Sequence, residues 1–228
     1  MKRFLGVAVC LLGVGSAAAA ATITVERTAG TFFRPAWAGE YRLVADDVPG
    51  MVSSSAGSFQ SFCLEMGAEV AEGEVYDVSL SDRVMNSGVL LTPEVAYLYN
   101  EFRNGTLVGY DYTPGVGRES SARALQAAIW SLQGESGDLV DLLTPDGSGW
   151  RIATEADVLA ARQFIAAAKK SGRTSIGSVC VVNLTSGEEG QRADNQDMLG
   201  LVVPAPGAIV LGSLGLGLLG WLRRRSAW

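Results

Sequence analysis

Histidine does not occur anywhere in the 228 residues. Its absence removes the Ser-His-Asp and Cys-His nucleophile systems, together with the usual zinc sites built on imidazole. Cysteine is almost as scarce, with three in the chain. Cys10 falls in the N-terminal apolar run, which leaves Cys63 and Cys180 for the body, too few for a metal site made of cysteines alone. There is no P-loop, no dinucleotide fingerprint and no calcium loop with acidic ligands at alternating positions. Conventional hydrolytic or redox catalysis is therefore not expected, and neither a cofactor nor a metal is implied.

Basic charge is also thin where it would matter. Of the 18 lysines and arginines, five lie in the two ends of the chain, leaving 13 between Thr22 and Val203 against all 24 acidic residues, a net charge of −11. So acidic a body is a poor partner for nucleic acid or anionic lipid, which are drawn to basic patches. It suits a soluble surface in a cation-rich matrix.

The two ends have a different character. Lys2 and Arg3 precede an apolar run from Phe4 to Val14, then a small-residue stretch with Ala-x-Ala sites near Ala20. That three-part layout predicts a secretory signal peptide over residues 1–21. At the other end, "VPAPGAIVLGSLGLGLLGWLRRRSAW" holds sixteen uncharged residues from Gly207 to Leu222. As a helix they would cover about 24 Å, short of a hydrocarbon core of about 30 Å unless flanking residues snorkel. Trp221 suits the interface, and Arg223, Arg224 and Arg225 would stay on the cytoplasmic side.

A proline motif (Pro204, Ala205, Pro206), an apolar helix and a terminal arginine cluster together resemble the PEP-CTERM sorting signal of bacterial exported proteins. The chain departs from that pattern at Ala205, where the family carries glutamate. The resemblance implies recognition and cleavage by an exosortase, a membrane-embedded cysteine enzyme, often in organisms that make extracellular polysaccharide. It implies a protein first anchored in the inner membrane by a single transmembrane helix over 204–228, then placed at the cell surface or in the matrix. It covers only the last twenty-five residues and speaks to destination rather than to the body.

The body, residues 22–203, is long enough for one domain. Alternating segments predict strands at Thr22–Arg27, Gly39–Asp46 (with Tyr41 and Leu43 on one face), Ser58–Met66 and Glu74–Leu80. Thr92-Pro93-Glu94 is a helix start, and Asn104-Gly105 ends that helix. A second helix is expected from about Glu119 to Gln133, burying Leu125, Ala128, Ile129 and Leu132. A third, about Thr154 to Lys170, is expected to bury Val158, Leu159, Phe164 and Ile165. Strands return at Ser175–Leu184 and Gln196–Val203. The order predicts an α+β fold, an antiparallel sheet or β-sandwich with about three helices at one side. Tyr97, Tyr99, Tyr110 and Tyr112 could line a sugar-stacking groove, although ordinary packing is the favoured reading. Asn104 and Asn183 match Asn-x-Thr acceptors but read as turn residues.

Two short stretches stand out, "FCLE" (Phe62–Glu65) and "ALQAAIW" (Ala124–Trp130). They resemble the thioester domains of surface adhesins on Gram-positive bacteria, in which a cysteine thiol displaces ammonia from a glutamine amide. The resemblance makes Cys63 the thiol partner and Gln126 the acyl partner, with Ala128, Ile129 and Trp130 as supporting wall. Leu125 stands where that family usually has threonine, and Glu65 where aspartate or an apolar residue is usual. On the residues alone two other accounts stay open. Cys63 and Cys180 could form a disulfide in an oxidising space, or both could be inert buried thiols.

The favoured expectation is a non-enzymatic structural or adhesive surface protein, with a thioester adhesin attaching to a neighbouring surface as the alternative. A second alternative is a carbohydrate-active enzyme using paired carboxylates, which needs no histidine. Glu65 and Asp111 are available acidic residues, but no spacing singles out a catalytic pair.

Overall fold

The structure is a computed structural model that describes residues 21–33, 38–46, 48–53, 57–135, 139, 154–187 and 193–202. The expected signal peptide as far as Ala20, the proline motif, the apolar C-terminal helix and the arginine cluster lie outside the described residues. Among the described residues no helix is long and apolar enough to cross a membrane.

Among the described residues, seven strands and three helices follow the order expected for an α+β chain. The strands are β1 (Thr22–Phe33), β2 (Ala38–Asp46), β3 (Ser58–Ser61), β4 (Val75–Ser81), β5 (Val179–Ser186), β6 (Ala193–Asp194) and β7 (Met198–Leu201). The helices α1 (Pro93–Arg103), α2 (Val116–Gln133) and α3 (Glu155–Lys170) all fall between β4 and β5. Every strand pairing is antiparallel, in the order β3-β2-β1-β4-β5, with β6 and β7 sharing the remaining edge of β5.

That sheet does not stay open. Beyond β3 the chain runs alongside β7, with Cys63 bridging Met198. The Leu199 amide donates to the Phe62 carbonyl at 3.2 Å and the Leu64 amide to the Asp197 carbonyl at 2.9 Å. The last strand thus meets the first in the order, and one sheet curls into a ring rather than splitting into the two layers of a sandwich. Closure removes the unpaired edges that an open sheet exposes.

The helices begin where their caps dictate. Thr92 accepts a hydrogen bond from the Val95 amide with Pro93 in the first turn, and Thr154 forms a capping box with Asp157. Helix α2 starts three residues earlier than expected, after Gly115 at φ 134°, a conformation that favours glycine. It lies against β1, β2, α1 and α3, and every residue from Ala124 to Trp130 is buried. The four alanines at 122, 124, 127 and 128 let neighbours approach from several sides.

Some expectations need correction. The buried face of α3 is Val158, Ala161, Phe164 and Ala168, while Leu159 is 61 % exposed and Ile165 only partly covered. The strand expected to reach Met66 ends as β3 at Ser61, and the one expected from Ser175 begins at Val179. Tyr99 and Tyr110 are core rather than groove, and Tyr97 and Tyr112 pack half-buried against it. Phe102 carries Tyr110 edge-on at 5.0 Å and Tyr112 stacked at 6.0 Å, and Tyr99 is fully buried.

Candidate functional site: a cysteine and a glutamine at the seam of the sheet

Cys63 sits where the sheet closes. Because its neighbours Phe62 and Leu64 make the hydrogen bonds to β7, its own amide and carbonyl point away from that strand. The β2–β3 ladder ends at the Tyr41–Ser61 pair, so among the described residues no strand stands on the other side to receive them. Gln126 of α2 takes that place. Its Oε1 accepts from the Cys63 amide at 3.1 Å, and its Nε2 donates to the Cys63 carbonyl at 2.8 Å. The orientation of the amide follows from its partners, since a flip would set donor against donor and acceptor against acceptor.

Gln126, one position round from the apolar Leu125, is wholly buried. A buried amide must find partners for both ends, and here the backbone of a single residue supplies them. The side chain is thereby locked against the backbone of the one residue whose thiol could react with it. The structure brings together the two residues that the sequence motifs single out, from 63 positions apart.

The Cys63 thiol lines a cavity of about 560 Å³ together with Arg27, Tyr41, Glu65, Trp130 and Gln196. Burial pushes this thiol up to about 12, the Tyr41 hydroxyl hydrogen-bonded to it pulls it down, and the Glu65 charge adds a small upward push. The thiol is accordingly neutral near pH 7. Trp130, one helical turn beyond Gln126, has its indole Nε1 buried with no hydrogen-bond partner among the described residues.

Glu65 does not wait in this cavity as an open acid. Its carboxylate accepts from Asn86 Nδ2 at 3.2 Å and from the Asp197 amide at 3.3 Å, tying the loop after Cys63 to the start of β7. Asp111 accepts from the Thr113 amide at 2.8 Å within its own loop and does not line the cavity. The two carboxylates therefore belong to different places. Among the described residues, no group of three or more His, Cys, Asp or Glu could hold a metal ion.

Cys180 is buried and its thiol is free, as is that of Cys63. Cys180 pairs with Gly200 on one side of β7, while Cys63 bridges Met198 on its other side. One whole strand stands between the cysteines, so their Cα atoms lie about two strand spacings apart, roughly 9–10 Å. A disulfide needs them within about 7 Å. The disulfide account fails on this geometry.

Sequence reasoning did not single out Tyr41 as a partner of the cysteine, although alternation placed it on a common face with Leu43, and both are buried. Comparison of the chain with protein-family models, with curated proteins and with solved structures gives no match.

Proposed function

We propose that this chain is an exported bacterial surface protein whose body forms an internal thioester between Cys63 and Gln126, used for a single covalent attachment. The observation that carries the reading is the two-point clasp of the Gln126 amide on the Cys63 backbone. In the forming step the Cys63 sulfur attacks Gln126 Cδ; the C–S bond forms, the C–N bond breaks, and ammonia departs with the thiol's proton. The Cys63 amide already donates to Oε1, where negative charge grows in that step, so it acts as a preset oxyanion donor.

In the opening step an amine or hydroxyl on a neighbouring surface or polysaccharide attacks the acyl carbon. An amide or ester bond forms, the C–S bond breaks, and the acceptor's proton goes to sulfur. Gln126 is consumed, so the event happens once per molecule and is not enzymatic turnover. The histidine-free composition fits a chemistry in which no imidazole base is needed.

Export and sorting complete the reading. The signal peptide carries the body out, the C-terminal helix holds it in the inner membrane, and an exosortase-type enzyme releases it to the surface or matrix. Intact mass of the purified protein tests the chemistry: a thioester lowers it by about 17 Da, the mass of ammonia, and Cys63→Ala should abolish that loss. An unshifted mass with two alkylatable thiols would leave a plain surface protein. Replacing Arg223–Arg225 tests the sorting, since an unchanged compartment and an unchanged C-terminus would reduce the tail to an ordinary anchor.

A further inference from the structure

Any thioester at Cys63 forms and breaks in a place hostile to charged sulfur. Cys63 is 3 % exposed, and Glu65 stands near enough to oppose a thiolate electrostatically. Yet sulfur carries developing negative charge whenever its bond to an acyl carbon is partly made. One side chain that meets the sulfur answers this need. Tyr41 on β2 is itself 3 % exposed and lines the same cavity; it pairs with Ser61, two residues before Cys63, so its ring shares the thiol's face and its hydroxyl comes within reach of the sulfur.

As a neutral phenol it has a proton to donate to a sulfur that is losing its own. Burial first, and the neighbouring Cys63 next, push its pKa well above the ordinary tyrosine value, making it a weaker acid. It therefore keeps its proton near pH 7 and does not serve as the base there. Its partner in the contact is the sulfur that must leave.

We propose that Tyr41 is a catalytic residue of the thioester chemistry, its hydroxyl holding the Cys63 sulfur while the bond to the Gln126 acyl carbon is made and broken. This rests on the thioester reading above. During formation the thiol proton leaves with ammonia, and Tyr41 stabilises the sulfur at the moment that proton is gone. During opening the acceptor's proton reaches sulfur after the C–S bond has stretched, and Tyr41 bridges the interval by hydrogen bonding. The tyrosine is neither consumed nor deprotonated.

The test is Tyr41→Phe in the full exported domain, which keeps the buried ring and removes the hydroxyl. Two quantities are read by intact mass: the fraction that has lost ammonia, and the rate at which methylamine opens the thioester. The variant should show a thioester fraction well below wild type, or an opening rate slower by about 100-fold, the usual effect of deleting one transition-state donor. Tyr76→Phe is the control. Its hydroxyl bonds the Ala71 backbone on the cavity wall, and its loss should leave both readouts unchanged.

If Tyr41→Phe does not fold, 3-fluorotyrosine placed at position 41 alone keeps the shape and strengthens the donor, and opening should accelerate. A wild-type protein that never loses ammonia overturns the thioester reading and this inference with it. A wild type that forms the bond while Tyr41→Phe or the fluorinated protein matches it in both readouts overturns the role of Tyr41 alone.

Discussion

Helix α2 buries two kinds of polar chemistry in its two halves. Its N-terminal half is charged. Arg118 lies fork-on against the Glu40 carboxylate, with Nε to Oε2 at 2.9 Å, and Tyr110 donates to the same carboxylate at 2.9 Å. Arg123 reaches Asp157 at 2.9 Å and Glu119 at 2.9 Å, while Ser120 donates to Asp157 at 2.7 Å. The C-terminal half is neutral, with Gln126 clasping the Cys63 backbone and Trp130 lining the cavity. In the first half, buried charges are paired and hydrogen-bonded, as low dielectric demands. Those groups fasten α2 to β2 and α3 and have little left to offer a ligand. In the second half the amide is fastened too, but its acyl carbon and the neighbouring thiol remain chemically unspent. Polar burial alone does not mark a site; a held, reactive bond beside a cavity does.

The sharpest way to separate the halves is to break each one. Glu40→Ala should cost about 3–5 kcal/mol, because it strands a largely buried guanidinium. Glu40 itself is fully buried and the Arg118 side chain is 16 % exposed. Thermal unfolding measures this loss, and the ammonia-loss mass of whatever folds should be unchanged. A cost below about 1 kcal/mol, the range of a surface pair, would show that the charged half does not fasten the helix.

Gln126→Leu comes next. It leaves the Cys63 amide and carbonyl buried without a partner, at about 1–3 kcal/mol for each group, and it abolishes ammonia loss altogether. Gln126→Glu should recover part of the stability, through the amide-to-carboxylate bond, without restoring the mass change. A Leu variant as stable as wild type would mean that the clasp is not formed in solution.

Titration gives a third and gentler contrast, because the halves fail at opposite ends of the pH scale. The Asp157 carboxyl would be raised by burial, but hydrogen bonds from Thr154, Arg123 and Ser120 outweigh this and hold it below its ordinary 3.8. Its contribution is complete above that value and is lost as pH falls through the lower folded value. The Cys63 and Cys180 thiols are pushed by burial from 9.0 up to about 12. The contribution of a thiol that stays free, Cys180 throughout and Cys63 only where no thioester has formed, is complete below 9.0 and is lost as pH rises toward about 12, because the unfolded chain releases that proton first. Unfolding midpoints across pH should show both limbs, with Asp157→Asn flattening the acid one only.

Much of the helical layer was legible because caps are local. Thr92-Pro93-Glu94 announces α1 within three residues and occurs as written, and α3 begins at the expected Thr154, held there by a capping box with Asp157 that is just as local. The early start of α2 was not legible, since Arg118 bonds Glu40 from 78 positions away and no local cap marks that end. The amphipathic face of α3 was misread by one position, because alanines at 161 and 168 carry burial that a search for large apolar residues passes over. The ring closure was hidden for a related reason. A four-residue β7 that meets both β5 and the chain beyond β3 is a fact of long-range register. The Cys63–Gln126 pair was legible as two motifs, but its full burial was not, because Gln126 lies within a run buried on every side.

The smallest expected effect lies at the second cysteine. Cys180 is buried beside Gly200, where a Cβ on that glycine would come within 3.2 Å of the Cys180 sulfur. Cys180→Ala therefore removes one buried sulfur from a tight spot and should cost roughly 1 kcal/mol, about the worth of a buried methylene. It should leave the ammonia loss intact, because β7 separates Cys180 from Cys63 and Gln126 does not touch it. It should also remove the thiol part of the alkaline limb, since a Cys63 sulfur bonded to the Gln126 acyl carbon has no proton to release. A disulfide would behave differently on every count. Wild type would then lose two hydrogens rather than ammonia, reductant would reverse the change, and Cys180→Ala would both destabilise by several kcal/mol and free Cys63 for alkylation. Measuring mass, reductant sensitivity and stability on this one variant thus decides whether the neutral half of α2 guards a bond between Cys63 and Gln126, or only two thiols held apart by a strand.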